Sequence, residues 1–184
     1  MFDTFAQHIM DIGENSAGAR ATRIDMSLTE NRADDIMTFS ITDDGCGMSP
    51  ERARAVLDPF VTSRTTRRVG LGLPFLKQLA ELCGGQVTLE SEEGRGTSLT
   101  ACFRLSSIDL PPLGDVAGAV QTLILRAPHV RWTFTHSRGA KSYTFDTQDV
   151  LNELDGDAEM LQNAQVAQWI YDYLQQEENG LNSD

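Results

Sequence analysis

With 184 residues, 40% of them hydrophobic, the chain suits one domain of ordinary size and is too apolar to be disordered throughout. Its net charge of -12 argues against autonomous binding to DNA or RNA, whose phosphates would repel it. No apolar run approaches the roughly 18 residues of a membrane span. Met1-Phe2-Asp3-Thr4 lacks the basic stretch and apolar core of a secretory signal, so a cytoplasmic location is expected.

The charge is unevenly spread: no Lys or Arg follows Lys141, whereas ten acids do, among them Asp149, Glu153, Asp172 and Glu178. That tail reads as a solvated face or as a docking surface for a basic partner protein. Cys46, Cys83 and Cys102 are widely spaced and form no CxxC pair, which predicts reduced thiols acting as small core residues.

In chain order, residues 3–19 predict a helix, with Phe5, Ile9, Ile12 and Ser16 at helical spacing. Thr22–Leu28 and Ile36–Thr42 alternate as half-buried strands joined by a polar turn. After the loop Asp43–Met48, Ser49-Pro50-Glu51 has the composition of a helix start: a capping hydroxyl, a proline and an acidic first turn. That helix should end near Asp58-Pro59-Phe60; Val61–Val69 is polar, basic and without pattern. A second helix should run from Leu73 to a Gly84-Gly85 stop. Gln86–Ser91 and Thr97–Leu105 read as strands around a Gly94–Gly96 turn. This order predicts an α+β fold, a two-layer α/β sandwich with helices on one sheet face. Pro111-Pro112 suggests a boundary. Beyond it come a helix over 114–126, strands over 130–136 and 141–146, and helices near 147–154 and 162–177. The last should carry an apolar stripe of Val166, Trp169, Ile170 and Tyr173.

Four pieces bear chemistry. Asp11 and Asn15, four apart, share one face of the first helix, with His8 a turn before. A carboxylate and an amide oxygen one turn apart suit a Mg-nucleotide, because Mg²⁺ takes few protein oxygens and keeps waters and phosphates. Asp43 ends a strand, where a carboxylate can accept a hydrogen bond from an adenine amino group. Gly45 and Gly47 let a base approach the backbone closely. Gly70-Leu71-Gly72-Leu73 opens a helix just after Arg64, Arg67 and Arg68, an arrangement of backbone N–H groups and guanidiniums suited to phosphates. Thr97, after Gly94 and Gly96, places a hydroxyl at a strand start. Each piece alone is ordinary; polar helix faces and glycine turns are common.

Together, in order and context, they resemble the GHKL (Bergerat-fold) ATPases over about residues 1–105. Glu14-Asn15-Ser16 and the small residues after it look like the N-box of MutL. Asp58–Arg64, Gly70–Leu73 and Gly94–Thr97 look like segments of histidine kinases. The resemblance implies ATP and Mg²⁺ as ligands, Asn15 as the Mg²⁺ ligand and Asp43 as the adenine-reading carboxylate with Gly45 and Gly47. It implies Arg64, Gly70, Leu71, Gly72, Leu73 and Thr97 as further nucleotide contacts. Asp11 stands where hydrolysing members carry a general-base Glu; being one methylene shorter, it leaves Glu14 as a rival base. Asp44 replaces a commoner Asn.

The expected organisation is an ATP-binding domain over 1–105 and an acidic α/β extension over 106–184 that docks on a partner. A sensor histidine kinase carries a phosphoacceptor segment ahead of its ATP domain, and none is expected here. The expected function is an ATP-Mg-dependent regulatory module with slow or no hydrolysis. The alternatives are a protein kinase of the anti-sigma-factor type and a simple ATPase.

Overall fold

The computed structural model describes residues 2–57 and 72–182. The opening helix α1 (Phe5–Gly18) begins where Gln7 folds back to accept hydrogen bonds from the Asp3 and Thr4 N–H groups at 2.8 and 3.2 Å. Strands β1 (Arg23–Asn31) and β2 (Ile36–Asp43) form an antiparallel hairpin. Helix α2 (Pro50–Ala55) is capped as expected, Ser49 Oγ accepting from the Arg52 N–H at 3.3 Å. Helix α3 (Gly72–Leu82) precedes the hairpin of β3 (Gln86–Glu92) and β4 (Gly96–Arg104). Then come α4 (Val116–Arg126), β5 (Arg131–Arg138), β6 (Lys141–Asp146) and α5 (Thr147–Glu153). A 3-10 turn at Ala158–Gln162, which the sequence pattern did not predict, leads into α6 (Ala164–Asn182).

The six strands form one sheet in the order β3-β4-β2-β1-β5-β6, antiparallel except where β5 runs parallel to β1. Strand alternation separates the two faces. Ile24, Met26, Leu28, Phe39, Ile41, Leu99, Phe103, Trp132 and Phe134 are buried in one core with Phe5 and Ile9 of α1, Leu76 of α3 and Val120 of α4. The opposite face is a ladder of hydroxyls, including Ser40 against Thr100 at 3.2 Å and Thr135 against Thr144 at 2.9 Å. This is the α+β sandwich expected, with its C-terminal α/β extension.

That extension shares the sheet and core of the first part. β5 is registered against β1 from Arg23↔Arg131 to Glu30↔Arg138. The Pro111-Pro112 segment closes on α1: the Phe5 and Ala6 N–H groups, which have no intrahelical partner, donate to the Pro112 and Leu113 carbonyls at 2.9 and 2.8 Å. Gly13 of α1 meets α4 so closely that a Cβ there would lie 2.5 Å from Leu123 Cδ1.

Three expectations need correction. The buried stripe of α6 is Ile170, Leu174, Glu178 and Leu181, so Trp169 lies beside the packed face and is 52% exposed. Glu178, expected among solvated tail acids, is buried because His136 and Tyr143 draw it in, at 2.8 and 2.5 Å. Of the thiols, Cys83 is buried, Cys102 half-buried and Cys46 exposed, so Cys46 is not a core residue.

Candidate functional site

A cleft of about 540 Å³ opens between α1, α2, the start of α3 and the β2, β3 and β4 strands. Its volume falls in the range of small-ligand pockets. Asp11, Glu14, Asn15, Asp43, Leu73 and Thr97 all line it, although 86 residues separate the first from the last. Ile41, Leu89 and Leu99 supply an apolar wall; the sequence pattern marked them only as strand residues.

Asp43 is 6% exposed, and both its oxygens are engaged. Oδ2 accepts from Ser16 Oγ at 2.8 Å and Oδ1 from the Gly45 N–H at 3.0 Å. Ser16 therefore belongs to the site as the residue that orients Asp43; the sequence placed it at helical spacing on α1 and in the N-box-like Glu14-Asn15-Ser16, without that role. The glycines make room around this carboxylate. Gly47 has φ +62, and a Cβ on it would sit 1.9 Å from the Glu92 carbonyl oxygen. Gly96 approaches β2 so closely that a Cβ would lie 1.9 Å from the Asp43 carbonyl oxygen. Thr97 pairs with Asp43 across β2 and β4, its Oγ1 2.8 Å from Ser91 Oγ, a second hydroxyl that the sequence did not single out.

On α1, burial pushes the Asp11 carboxyl above the usual carboxylate range, and a hydrogen bond from Asn15 opposes this. Among the described residues, Asp11 Oδ2 is enclosed without a hydrogen-bond partner. It lies against Gly72, where a Cβ would stand 1.4 Å from it, so any larger residue there would push the Asp11 carboxylate aside. Glu14 turns to Arg126 of α4 and forms an ion pair with it. His8 is 1% exposed with neither ring nitrogen bonded, and burial pushes it down to about 4.

Asp44 does not line the cleft. Burial pushes its carboxyl up. The Thr22 hydroxyl at 2.6 Å and the Thr22 and Arg23 N–H groups at 2.7 and 2.9 Å outweigh this and hold it below its ordinary range. Its charge thus ties the second loop to the start of β1. Arg52 of α2 and the exposed Cys46 also line the cleft, and no local sequence signal marks either as a cleft residue. Arg64, Gly70 and Leu71, together with the Asp58–Arg64 segment, lie outside the described residues.

The enclosed Asp11 oxygen, the backbone cradle around Asp43 and the adjoining apolar wall fit a purine nucleotide: an amino group for Asp43, an apolar face for the base, and hard oxygens for a metal. The family described as histidine kinase-, DNA gyrase B-, and HSP90-like ATPase matches residues 3–107. Similar curated proteins include a probable C4-dicarboxylate sensor kinase of Bacillus subtilis, 33% identical over 96 residues. Another is the heme sensor protein HssS of Staphylococcus saprophyticus, 37% identical over 82 residues. These matches cover 49% and 44% of this chain but only 18% and 17% of those proteins. Among solved structures, the ADP-complexed MutL ATPase domain of Aquifex aeolicus superposes with a TM-score of 0.51 at 14% identity. That superposition covers 85% of this chain and 69% of that one. The N-terminal domain of a DNA repair protein reaches 0.58 at 10% identity, over 86% and 59% of the two chains. At such identities these two speak to the fold alone. With the family match spanning more than half of its length, the chain belongs to the histidine kinase-, DNA gyrase B- and HSP90-like ATPases, a family of ATP-binding domains.

Proposed function

We propose that the chain is a nucleotide-dependent regulatory module that binds ATP with Mg²⁺, hydrolyses it slowly or not at all, and presents its nucleotide state to a partner protein. The observation that carries this reading is Asp43, locked by Ser16 and Gly45 at one side of a cleft whose other side holds Asp11 and Asn15. In this arrangement Asp43 accepts a hydrogen bond from the adenine amino group. Asn15 supplies an amide oxygen to Mg²⁺, while Gly45, Gly47, Gly72, Leu73 and Thr97 shape the wall; Arg64, Gly70 and Leu71 are assigned to the phosphates. Mg²⁺ supplies charge neutralisation at the phosphates and keeps most of its coordination outside the protein.

Slow hydrolysis follows from the state of the two candidate bases. Asp11 is short, its Oδ2 is closed off, and its raised pKa favours the protonated form relative to an ordinary carboxylate. Glu14 is held by Arg126. Among the described residues no helix is long and apolar enough to cross a membrane, and the net charge of -12 opposes nucleic acid. Both accord with a cytoplasmic protein whose partner is another protein. A second reading, transfer of the γ-phosphate to a partner's side chain, is favoured by the likeness to sensor kinases; a simple ATPase using Asp11 or Glu14 is a third.

Incubation with γ-labelled ATP and Mg²⁺, alongside calorimetry, separates the readings. Tight uptake without released phosphate or labelled protein is the expected result. Rapid phosphate release supports the ATPase, and label on an added protein supports the kinase. No heat of binding at millimolar ATP-Mg with folded protein would overturn the proposal.

A further inference from the structure

On the side of the extension, β6, α5 and α6 enclose a second groove of about 530 Å³ that shares no residue with the nucleotide cleft. Phe145, Val150 and Val166 wall it, and Trp169 and Tyr173 lie over it. Those two rings are stacked, with centroids 5.6 Å apart and planes 25° from parallel, and Tyr173 also meets Phe145 at 5.8 Å. Stacking holds Trp169 in place while more than half of its surface stays exposed. Large aromatics presented in this way are the residues that dominate protein interfaces.

Two further features identify the occupant. Asp149 and Glu153, one turn apart on α5, line the groove from exposed positions, and neither has an ion-pair partner among the described residues. No Lys or Arg follows Lys141 in the sequence, and Arg131, whose charge reaches Asp149, is already paired with Asp146. The groove also runs along an open sheet edge, since Thr144, Phe145 and Asp146 of the terminal strand β6 line it. Sheet edges are normally protected by charged side chains. The opposite edge, β3, carries exposed Glu90 and Glu92, whereas β6 has no charge from Ser142 to Phe145.

We infer that this groove receives an extended segment of a partner protein that adds to the β6 edge, setting an apolar side chain against Trp169 and Tyr173 and a Lys or Arg against Asp149 and Glu153. Backbone pairing along β6 supplies affinity, and the alternate side chains entering the groove supply selectivity. The cation gains from both the carboxylates and the adjacent aromatic faces. The inference is independent of the nucleotide reading: it names where the partner binds and what chemistry it carries.

The test is fluorescence polarisation of the full chain with a labelled decapeptide in which threonine alternates with lysine and leucine. Saturable binding below millimolar peptide is expected, weakened by salt. Trp169→Ala, at an exposed position that leaves the fold intact by circular dichroism, should weaken it about tenfold. The pair Asp149→Asn and Glu153→Gln should remove most of the salt dependence. A peptide N-methylated at alternate amides should bind weakly, because it cannot pair with β6. Equal binding of a peptide with glutamate in place of lysine, full binding by Trp169→Ala, or no binding at millimolar peptide overturns the inference. So does sedimentation of the chain alone as a dimer that Trp169→Ala disperses, which would assign the groove to a second copy.

Discussion

The chain contains two buried histidines, and they sit in opposite environments. His8, on α1 beside the nucleotide cleft, has neither nitrogen bonded and packs edge-on against Phe2 at 4.7 Å. His136, on β5 in the extension, has both nitrogens bonded, Nδ1 to Glu178 at 2.8 Å and Nε2 to Glu30 at 3.1 Å. Both partners are carboxylates, and their bonds raise the ring's pKa and so favour the doubly donating imidazolium. Arg138 adds charge-assisted bonds to Glu30, and the Tyr143 hydroxyl donates to Glu178 at 2.5 Å. The lesson concerns division of labour. The extension closes His136, Glu30, Glu178 and Tyr143 into a network that locks α6 to β5, β6 and β1, and leaves Thr133 Oγ1 as its buried side-chain atom without a partner among the described residues. Among the described residues, the cleft end leaves His8 and Asp11 Oδ2 without protein partners beside the proposed nucleotide site.

The largest way to break this contrast is Glu178→Ala. It removes one of the two carboxylates bonded to His136 and leaves a buried phenol unpaired, and should destabilise the protein by about 3–5 kcal/mol in urea unfolding. A loss under about 1 kcal/mol would mean that the network contributes little. Next come the cleft variants. Asp43→Asn should weaken ATP by roughly 10- to 100-fold in calorimetry, as expected for losing a charged hydrogen-bond acceptor. Asn15→Ala should abolish the Mg²⁺ dependence of ATP affinity. Unchanged binding in both variants would discard the site assignment.

A finer test uses pH. Burial alone would push His136 down, but the bonds to Glu178 and Glu30 outweigh it and raise it above its ordinary 6.5. Its contribution to stability is therefore complete below about pH 6.5 and is lost as pH rises through the folded-state value. His8 has the opposite sign: burial lowers it to about 4 from 6.5, so its share of stability is present above that window and is lost as pH falls through it. Replacing His8 with Phe should flatten the acid limb of the stability profile, and replacing His136 with Gln the alkaline limb. A profile that neither substitution changes would remove the contrast. The smallest effect concerns Cys46, exposed and lining the cleft. Its alkylation should slow severalfold at saturating ATP while the buried Cys83 stays unreactive, as peptide mapping after labelling would show.

Local chemistry alone determined the helices and strands, because a period of two or of 3.6 and residues such as Ser49, Pro50 and Gly84 act within a few positions. It also marked Asp11, Asn15, Asp43, Gly45, Gly47 and Thr97 by their short spacings; Asp11, Asn15, Asp43 and Thr97 line the cleft, and Gly45 donates to Asp43. Tertiary structure decided the rest, because the partners are far apart in the chain. Ser16 orients Asp43 across 27 positions, Arg126 holds Glu14 across 112, and Glu178 meets His136 across 42. Nothing local in Glu178 distinguishes it from the solvated acids around it. Only the parallel pairing of β5 with β1, and the packing of α6 over β6, bring the imidazole and the phenol that bury it.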